Sequence, residues 1–272
     1  MKFGTAQPRL EDPRLLRGEG RYADDVPVEG ALHMAILRSP FAAGRIAALD
    51  VSGARAMPGV RLVLTAADMH ARGLRPFAVR FAPPGTQPAP TPFYPLAWDA
   101  VRYEGEPVVA VVGETRAQAL DACEAILFDV EDAQPVVDAA GASDPGAPEV
   151  WPGRANTVFT CRLGGHDAVA RAIKGAAHVV SQRLSITRVT AVAMEPRNAL
   201  AVPGTDGGLT LHTGTQAAHR VRDEIASVLG LDPAGLRVLV QDVGGSFGMR
   251  NGAYPEDVLL VWAAGALGRP VR

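Results

Sequence analysis

Apolar residues recur along the chain at two spacings, and the alternation between them predicts short strands and short helices. Residues 31–37, "ALHMAIL", and 60–65, "VRLVLT", have strand composition, and Gly59 marks a turn before the second. Residues 106–114, "EPVVAVVGE", form a continuous apolar run between turn residues, the pattern of a strand buried on both faces. That run leads directly into "TRAQALDACEAI", where Ala119, Leu120, Cys123 and Ile126 repeat at helical spacing and Thr115 is placed to cap the helix. "ILFDVED" then predicts a further strand, so the chain up to Val137 reads as a compact α/β module.

Two stretches interrupt the pattern. Residues 81–98, "FAPPGTQPAPTPFYPLAW", hold too many prolines for a regular element, because each removes a donor and fixes φ, and they predict a long ordered loop. Residues 138–153, "DAAGASDPGAPEVWPG", lie between two patterned regions and make the best domain boundary. Beyond them, "DAVARAIKG" predicts a helix stopping at Gly175, and "HVVSQRLSI" a strand. "LTLHTG" is a predicted strand, followed by a helix in "QAAHRVRDEIASVLG" with Val221, Ile225, Val228 and Leu229 on one face and Gly230 just past its end. "LRVLVQDV" is the next predicted strand. "YPEDVLLVWAAGALG" opens with Pro255, Glu256 and Asp257, all favourable to a helix start, and its apolar face is expected to stay partly exposed.

A length of 272 residues allows one large or two medium domains, and 47% apolar with 21% charged residues is ordinary globular composition. A formal charge of −2 without any Lys or Arg run points away from nucleic acid. No apolar stretch is long enough to span a bilayer, and the N-terminal residues lack the apolar core of a signal peptide, so a cytoplasmic location is expected. Cys123 and Cys161 sit in apolar-patterned segments, which predicts buried thiols; two cysteines cannot hold an iron–sulfur cluster by themselves.

Candidate chemistry concentrates in two places. "VGGSFGMR", residues 243–250, keeps neither the spacing of a dinucleotide-binding fingerprint nor that of a P-loop. Two readings stay open: a ligand-facing loop with main chain bare at Gly244, Gly245 and Gly248 and Phe247 as a wall, or a tight turn with Phe247 in the core. In "HTGTQAAH", Gln216 stands where a strand passes into a helix, so it either faces a ligand or is solvated beside a Thr213 or Thr215 cap. Both segments occupy successive strand-to-helix connections, which places Gln216 and Phe247 on one crevice. The six histidines show no metal-type spacing, and Glu195 and Arg197 of "MEPR" are assigned a structural role.

The ordered series "LEDPRLLRGEGRYADD", "LHMAILRSPFAAGRIAALD", "MPGVRLVLTAADM", "EPVVAVVGETRAQALDACEAI", "MEPRNALAV", "TGTQAAHRVRDEIASVLGL" and "VQDVGGSFGMR" resembles the large, molybdopterin-binding subunit of the xanthine dehydrogenase and aldehyde oxidase family. Its look is closest to bacterial members such as carbon monoxide dehydrogenase large subunits. The resemblance implies an α/β (α+β) fold class. It places an α/β hammerhead domain over residues 18–137, a linker over 138–153, and the incomplete first part of a molybdopterin-binding domain over 154–272. It implies cofactor contacts from Gln216, Gly244, Gly245, Ser246, Phe247, Gly248 and Arg250, with Gln216 and Phe247 beside the ligands of molybdenum. Ser246 stands where the family more often has glycine, adding a Cβ and a hydroxyl.

The activity so implied is oxidation of an aldehyde, an N-heterocycle or carbon monoxide with water-derived oxygen. The implied cofactor is molybdopterin in its cytosine dinucleotide form, with electrons passing to iron–sulfur clusters and FAD on partner subunits. No catalytic residue is assigned within the chain: the general-base glutamate is expected beyond Arg272, in a remaining C-terminal part, and the 272 residues alone are expected to be inactive. The alternative is a non-catalytic docking module that keeps the hammerhead fold without bound cofactor.

Overall fold

The structure is a computed structural model and describes residues 3–272. The first elements are α1 (Asp12–Leu16), β1 (His33–Arg38), β2 (Gly44–Asp50), α2 (Ser52–Ala56), β3 (Val60–Leu64) and α3 (Ala66–Arg72). Next come β4 (Ala100–Val101), β5 (Pro107–Gly113), α4 (Arg116–Glu124), β6 (Leu127–Asp132) and α5 (His166–Lys174). The chain finishes with β7 (Ala199–Pro203), β8 (Leu209–Thr213), α6 (Ala218–Leu229), β9 (Leu236–Leu239) and α7 (Pro255–Leu267). Packing separates these residues into two compact units. One holds the described residues up to Phe77 together with Tyr94–Ala133 and Ala191–Arg272; the other holds Ala78–Phe93 and Gln134–Thr190.

In the first unit the strands form three three-stranded sheets, ordered β1–β5–β3, β4–β2–β6 and β7–β8–β9. β5 lies antiparallel between β1 and β3, so its main chain is paired on both edges, and all seven of its residues are buried. Two paired edges are what allow "VVAVV" to leave water without stranding N–H or C=O groups, and each fully buried valine contributes about 1.5–3 kcal/mol. α4 covers β1 and β5 through Ala119, Ala122 and Cys123. Its start is fixed by a reciprocal cap, in which the Thr115 hydroxyl accepts from Gln118 N at 3.2 Å and Thr115 N donates to Gln118 Oε1 at 3.1 Å. Leu120, expected on the buried face, is exposed, because the step of about 100° per residue from Ala119 turns it away from the sheet.

The third sheet carries α6 and α7. Val221, Ile225, Val228 and Leu229 of α6 are buried as the spacing predicts, and Gly230 adopts the left-handed cap at φ 66°. α7 is the clearest departure from expectation. Val258–Ala264 are all buried, because α7 packs against β7 and β8, so the apolar face expected to stay exposed is covered. The strand expected over residues 236–243 ends at Leu239, its last residue paired with β8. Near the end of the chain, Val271 lies between two distant segments. Its N donates to Ala201 O and its O accepts from Ala201 N, at 2.9 and 2.8 Å, while Arg272 N donates to Leu32 O at 2.9 Å.

The second unit gathers the two proline-rich stretches and the following helix. Phe81 and Phe159 lie 6.1 Å apart between ring centroids, Ala89 N donates to Val158 O at 2.7 Å, and the Asn156 amide donates to Ala142 O and Pro148 O. α5 runs to Lys174 as predicted. Residues 178–186, predicted as a strand, form none, and Val180, Leu184 and Ile186 are exposed. Cys161 is exposed too, against the expectation of a buried thiol; Cys123 is buried, and both thiols are free.

Candidate functional site

β8 and β9 are parallel neighbours, with His212 opposite Leu239. Both strands therefore deliver the chain to the same end of the sheet, and the connections to α6 and α7 emerge side by side. The first connection is fixed by Thr215. Its buried hydroxyl donates to Arg250 O at 2.8 Å and accepts from Ala217 N at 3.1 Å, satisfying a free donor at the start of α6. Gln216 N donates to the same Arg250 carbonyl at 2.9 Å. The two connections are thus tied together by main chain before any side chain of the site is considered.

The glycine loop is held from behind by Glu195. Its carboxylate accepts from Gly244 N at 2.8 Å and pairs with Arg250 at 2.6 Å, while a second Arg250 nitrogen donates to Glu195 O. Both charged side chains are over nine-tenths buried. A Cβ on Gly244 would strike Glu195, and one on Gly214 would lie 2.5 Å from the Arg250 guanidinium, so these glycines make room for the pair. The Tyr254 hydroxyl closes the far end of the loop by donating to Met249 O at 2.6 Å. Arg197 lies over the Tyr254 ring at 3.7 Å and shares Glu256 with Arg38. Burial alone would raise the Glu256 carboxyl; the Arg197 charge and the bonds from Arg38 and Arg197 outweigh it and hold the group below its ordinary value.

On the outward side, Gln216 Oε1 accepts from the Ser246 hydroxyl at 2.6 Å and from Gly248 N at 3.0 Å. Gly248 N–H can only donate, so the carboxamide has one possible orientation, with its NH₂ turned away from the loop. Among the described residues nothing accepts from that NH₂, nor from the main-chain N–H groups of Gly245, Ser246 and Phe247. Phe247 is 79% exposed and has φ 51°, a left-handed conformation that costs a bulky residue on the order of 1–2 kcal/mol. Gly245 and Gly248, at φ 113° and 91°, allow the turns on either side of it.

The structure therefore brings together Gln216, Ser246, Phe247 and Gly248, with Gly245 in the same turn. The reading in which Phe247 packs into the core is excluded by its exposure. Gly244 and Arg250 belong to the back of the loop. Arg250, expected to touch a cofactor, is turned inward because its charge is spent on Glu195. Thr215, one of the two cap candidates, does cap α6, but its bond to Arg250 O, the pairing of Glu195 with Arg250 and the room left at Gly214 are what a linear reading misses. For Glu195 the only signal was a carboxylate in "MEPR", with nothing to indicate a partner 55 positions away.

Among the described residues no group of His, Cys, Asp or Glu could hold a metal ion directly. A metal here would have to arrive with its own ligands. The surface suits such a group: outward N–H donors, no carboxylate among them, bare main chain at two glycines and an aromatic wall match an anionic metal–oxygen centre carried by an organic cofactor.

Residues 17–133 match the family model described as the aldehyde oxidase and xanthine dehydrogenase a/b hammerhead domain, and residues 151–272 match that of the molybdopterin cofactor-binding domain. The chain is 38% identical to the nicotine 6-hydroxylase large subunit of Paenarthrobacter nicotinovorans, over 99% of this chain and 33% of that protein. It is 33% identical to the carbon monoxide dehydrogenase large chain of Hydrogenophaga pseudoflava, over 96% of this chain and 33% of that protein. Quinoline 2-oxidoreductase from Pseudomonas putida 86 superposes with a TM-score of 0.87 at 37% identity, covering 99% of this chain and 34% of that one. The chain spans about a third of the length of these relatives.

Proposed function

We propose, since this chain belongs to the molybdopterin-binding xanthine dehydrogenase and aldehyde oxidase family, that Gln216 and residues 244–248 cradle the metal end of a molybdopterin cofactor in a molybdenum hydroxylase. When bound, the cofactor supplies two-electron oxidation of a carbon centre with oxygen drawn from water. The protein supplies position and electrostatics. The outward NH₂ of Gln216 and the N–H groups of residues 245–247 offer donors to oxygen on the metal centre, and Phe247 keeps water from one side of it. Glu195 and Arg250 hold the loop in shape from behind.

The substrate class is an aldehyde, an N-heterocycle or carbon monoxide. The cofactor is assigned as the cytosine dinucleotide form, and electrons leave through iron–sulfur and FAD partner subunits. In this reading a general-base glutamate and further cradle residues, which Gln216 and residues 244–248 do not supply, complete the site. No helix among the described residues is long and apolar enough to cross a membrane, and two free thiols suit a cytoplasmic setting.

A single observation carries this reading: the Gln216 carbonyl is clasped by the glycine loop so that its NH₂ faces outward beside an exposed, conformationally strained Phe247. The test is molybdenum analysis, with pterin fluorescence after oxidation, of the chain assembled with the remainder of its polypeptide. Near one molybdenum per complex is expected, lost in Gly245→Val, whose side chain would meet Phe247 and Ala193. Normal molybdenum in that variant would overturn the cradle.

A further inference from the structure

We infer that Ser246 is a positioning residue that locks and polarises the Gln216 carboxamide, a role that rests on the cofactor reading only for its purpose. The serine hydroxyl is 2.6 Å from Gln216 Oε1 and 3.1 Å from Arg250 N. Arg250 N is an obligate donor, so the hydroxyl oxygen accepts there and its single proton is left for Gln216. The result is a directed relay from Arg250 N–H through the Ser246 hydroxyl into Gln216 Oε1, which also receives Gly248 N–H. Ser246 is itself buried, so water competes poorly for the hydroxyl.

Two consequences follow from elementary amide chemistry. A carboxamide held by two donors on its oxygen loses the freedom to flip, although Gln216 is otherwise exposed. Donation to an amide oxygen also draws electron density from its nitrogen, so the outward NH₂ becomes a stronger donor. A glycine at 246 would leave the main-chain bond from Gly248 as the one restraint on the amide. The serine thus converts a surface glutamine into an oriented donor whose direction is set before any ligand arrives.

The test compares Ser246→Thr with Ser246→Val in the 272-residue chain. These side chains have nearly the same shape, so any steric penalty is shared and the difference isolates the hydroxyl. The readout is the Gln216 side-chain NH₂ pair in ¹⁵N spectra, assigned by its loss in Gln216→Ala, with the backbone spectrum as a check of folding. Wild type and Ser246→Thr are expected to show ordered NH₂ protons with backbone-like heteronuclear NOE values. In Ser246→Val the NOE should fall to that of the exposed Gln182. Equal NOE values in the two variants would overturn the inference.

A second arm uses the assembled enzyme. Ser246→Val is expected to keep its molybdenum and its KM while kcat falls about tenfold relative to Ser246→Thr, the worth of one positioned hydrogen bond. Equal kcat values at equal molybdenum content would likewise count against the role. If wild-type complex holds no molybdenum, the cofactor reading fails, and the NMR contrast alone decides whether Ser246 orders Gln216.

Discussion

β5 and residues 178–186 are built from similar material and meet opposite fates. "PVVAVVG" is buried at every position between two antiparallel neighbours, whereas "HVVSQRLSI" forms no ladder and leaves Val180 and Ile186 more than 90% exposed. β-Branched residues favour an extended backbone in both cases. What differs is company. β1 and β3 take up the main-chain groups on both edges of β5, and α4 covers a face, while among the described residues no strand pairs with the second run. Strand composition is a permission to pair, and burial follows only where partners on both edges remove the cost of drying the backbone.

The contrast is broken most directly by a charge. Val111→Asp in β5 should destabilise the first unit by about 4 kcal/mol or more, because the carboxylate has neither water nor a partner. Val180→Asp should change stability by no more than about 0.5 kcal/mol. Denaturant titration of the two variants checks this, and similar losses would mean that residues 178–186 are packed after all. Next in size is Glu195→Ala, which lies just beyond the unpaired run and leaves Arg250 buried without its counter-charge. A loss of about 3 kcal/mol is expected, with protease cleavage within residues 243–250 as a local readout. A loss under about 1 kcal/mol would show that the buried pair does not hold the loop.

The first unit also buries, at the start of α7, a group that titrates. Burial pushes the Asp257 carboxyl up to about 6, against an ordinary value of 3.8, outweighing its bond from Tyr254 N. The native state then binds this proton more tightly than the unfolded chain. Stability should therefore fall as pH rises from about 4 through 6, by on the order of 2–3 kcal/mol. Asp257→Asn should flatten that window, and thermal melts across it give the slope; a slope unchanged in the variant would remove Asp257 as its source. Glu114 and Asp242, both held down to about 2 by bonds from arginines, act in the opposite sense and only below about pH 4. The smallest effect is expected for Thr115→Ala, which removes one cap beside β5 and should cost about 1 kcal/mol. No change in denaturation midpoint would mean that α4 is held by packing alone.

Legibility of the fold in the sequence followed the same division. β5, α4, α6 and the start of α7 were readable because their partners are near in sequence or their caps are local: Thr115 with Gln118, Pro255 with Asp257, Gly230 past the end of α6. The failures were questions of partnership. Nothing in "HVVSQRLSI" says that no strand will pair with it, and nothing in "VLLVWAAGAL" says that β7 and β8 will cover it. β2 went unseen because its burial is patchy, with Gly44 buried, Ile46 and Leu49 half-buried and the rest exposed, and its register on β6 breaks at a bulge. For the site, the proximity of Gln216 and Phe247 could be inferred from two successive strand-to-helix connections. The inward turn of Arg250 could not, since Glu195 reaches it only in three dimensions.

Val271 gives the chain an order of events. Segments about 240 residues apart, at Leu32 and Val271, share one bridge, and Ala201 is bonded to the same residue. A ribosome adds roughly 5–20 residues per second, so the nascent N-terminal strands wait on the order of 10–50 s before that stitch can be sewn. During that interval β1 can already join β5, but the leader at Leu32 and the edge at Ala201 remain open. Val271 and Arg272 are thus a clasp that shuts late, and until it shuts the main-chain groups at Leu32 and Ala201 stand exposed on the nascent chain.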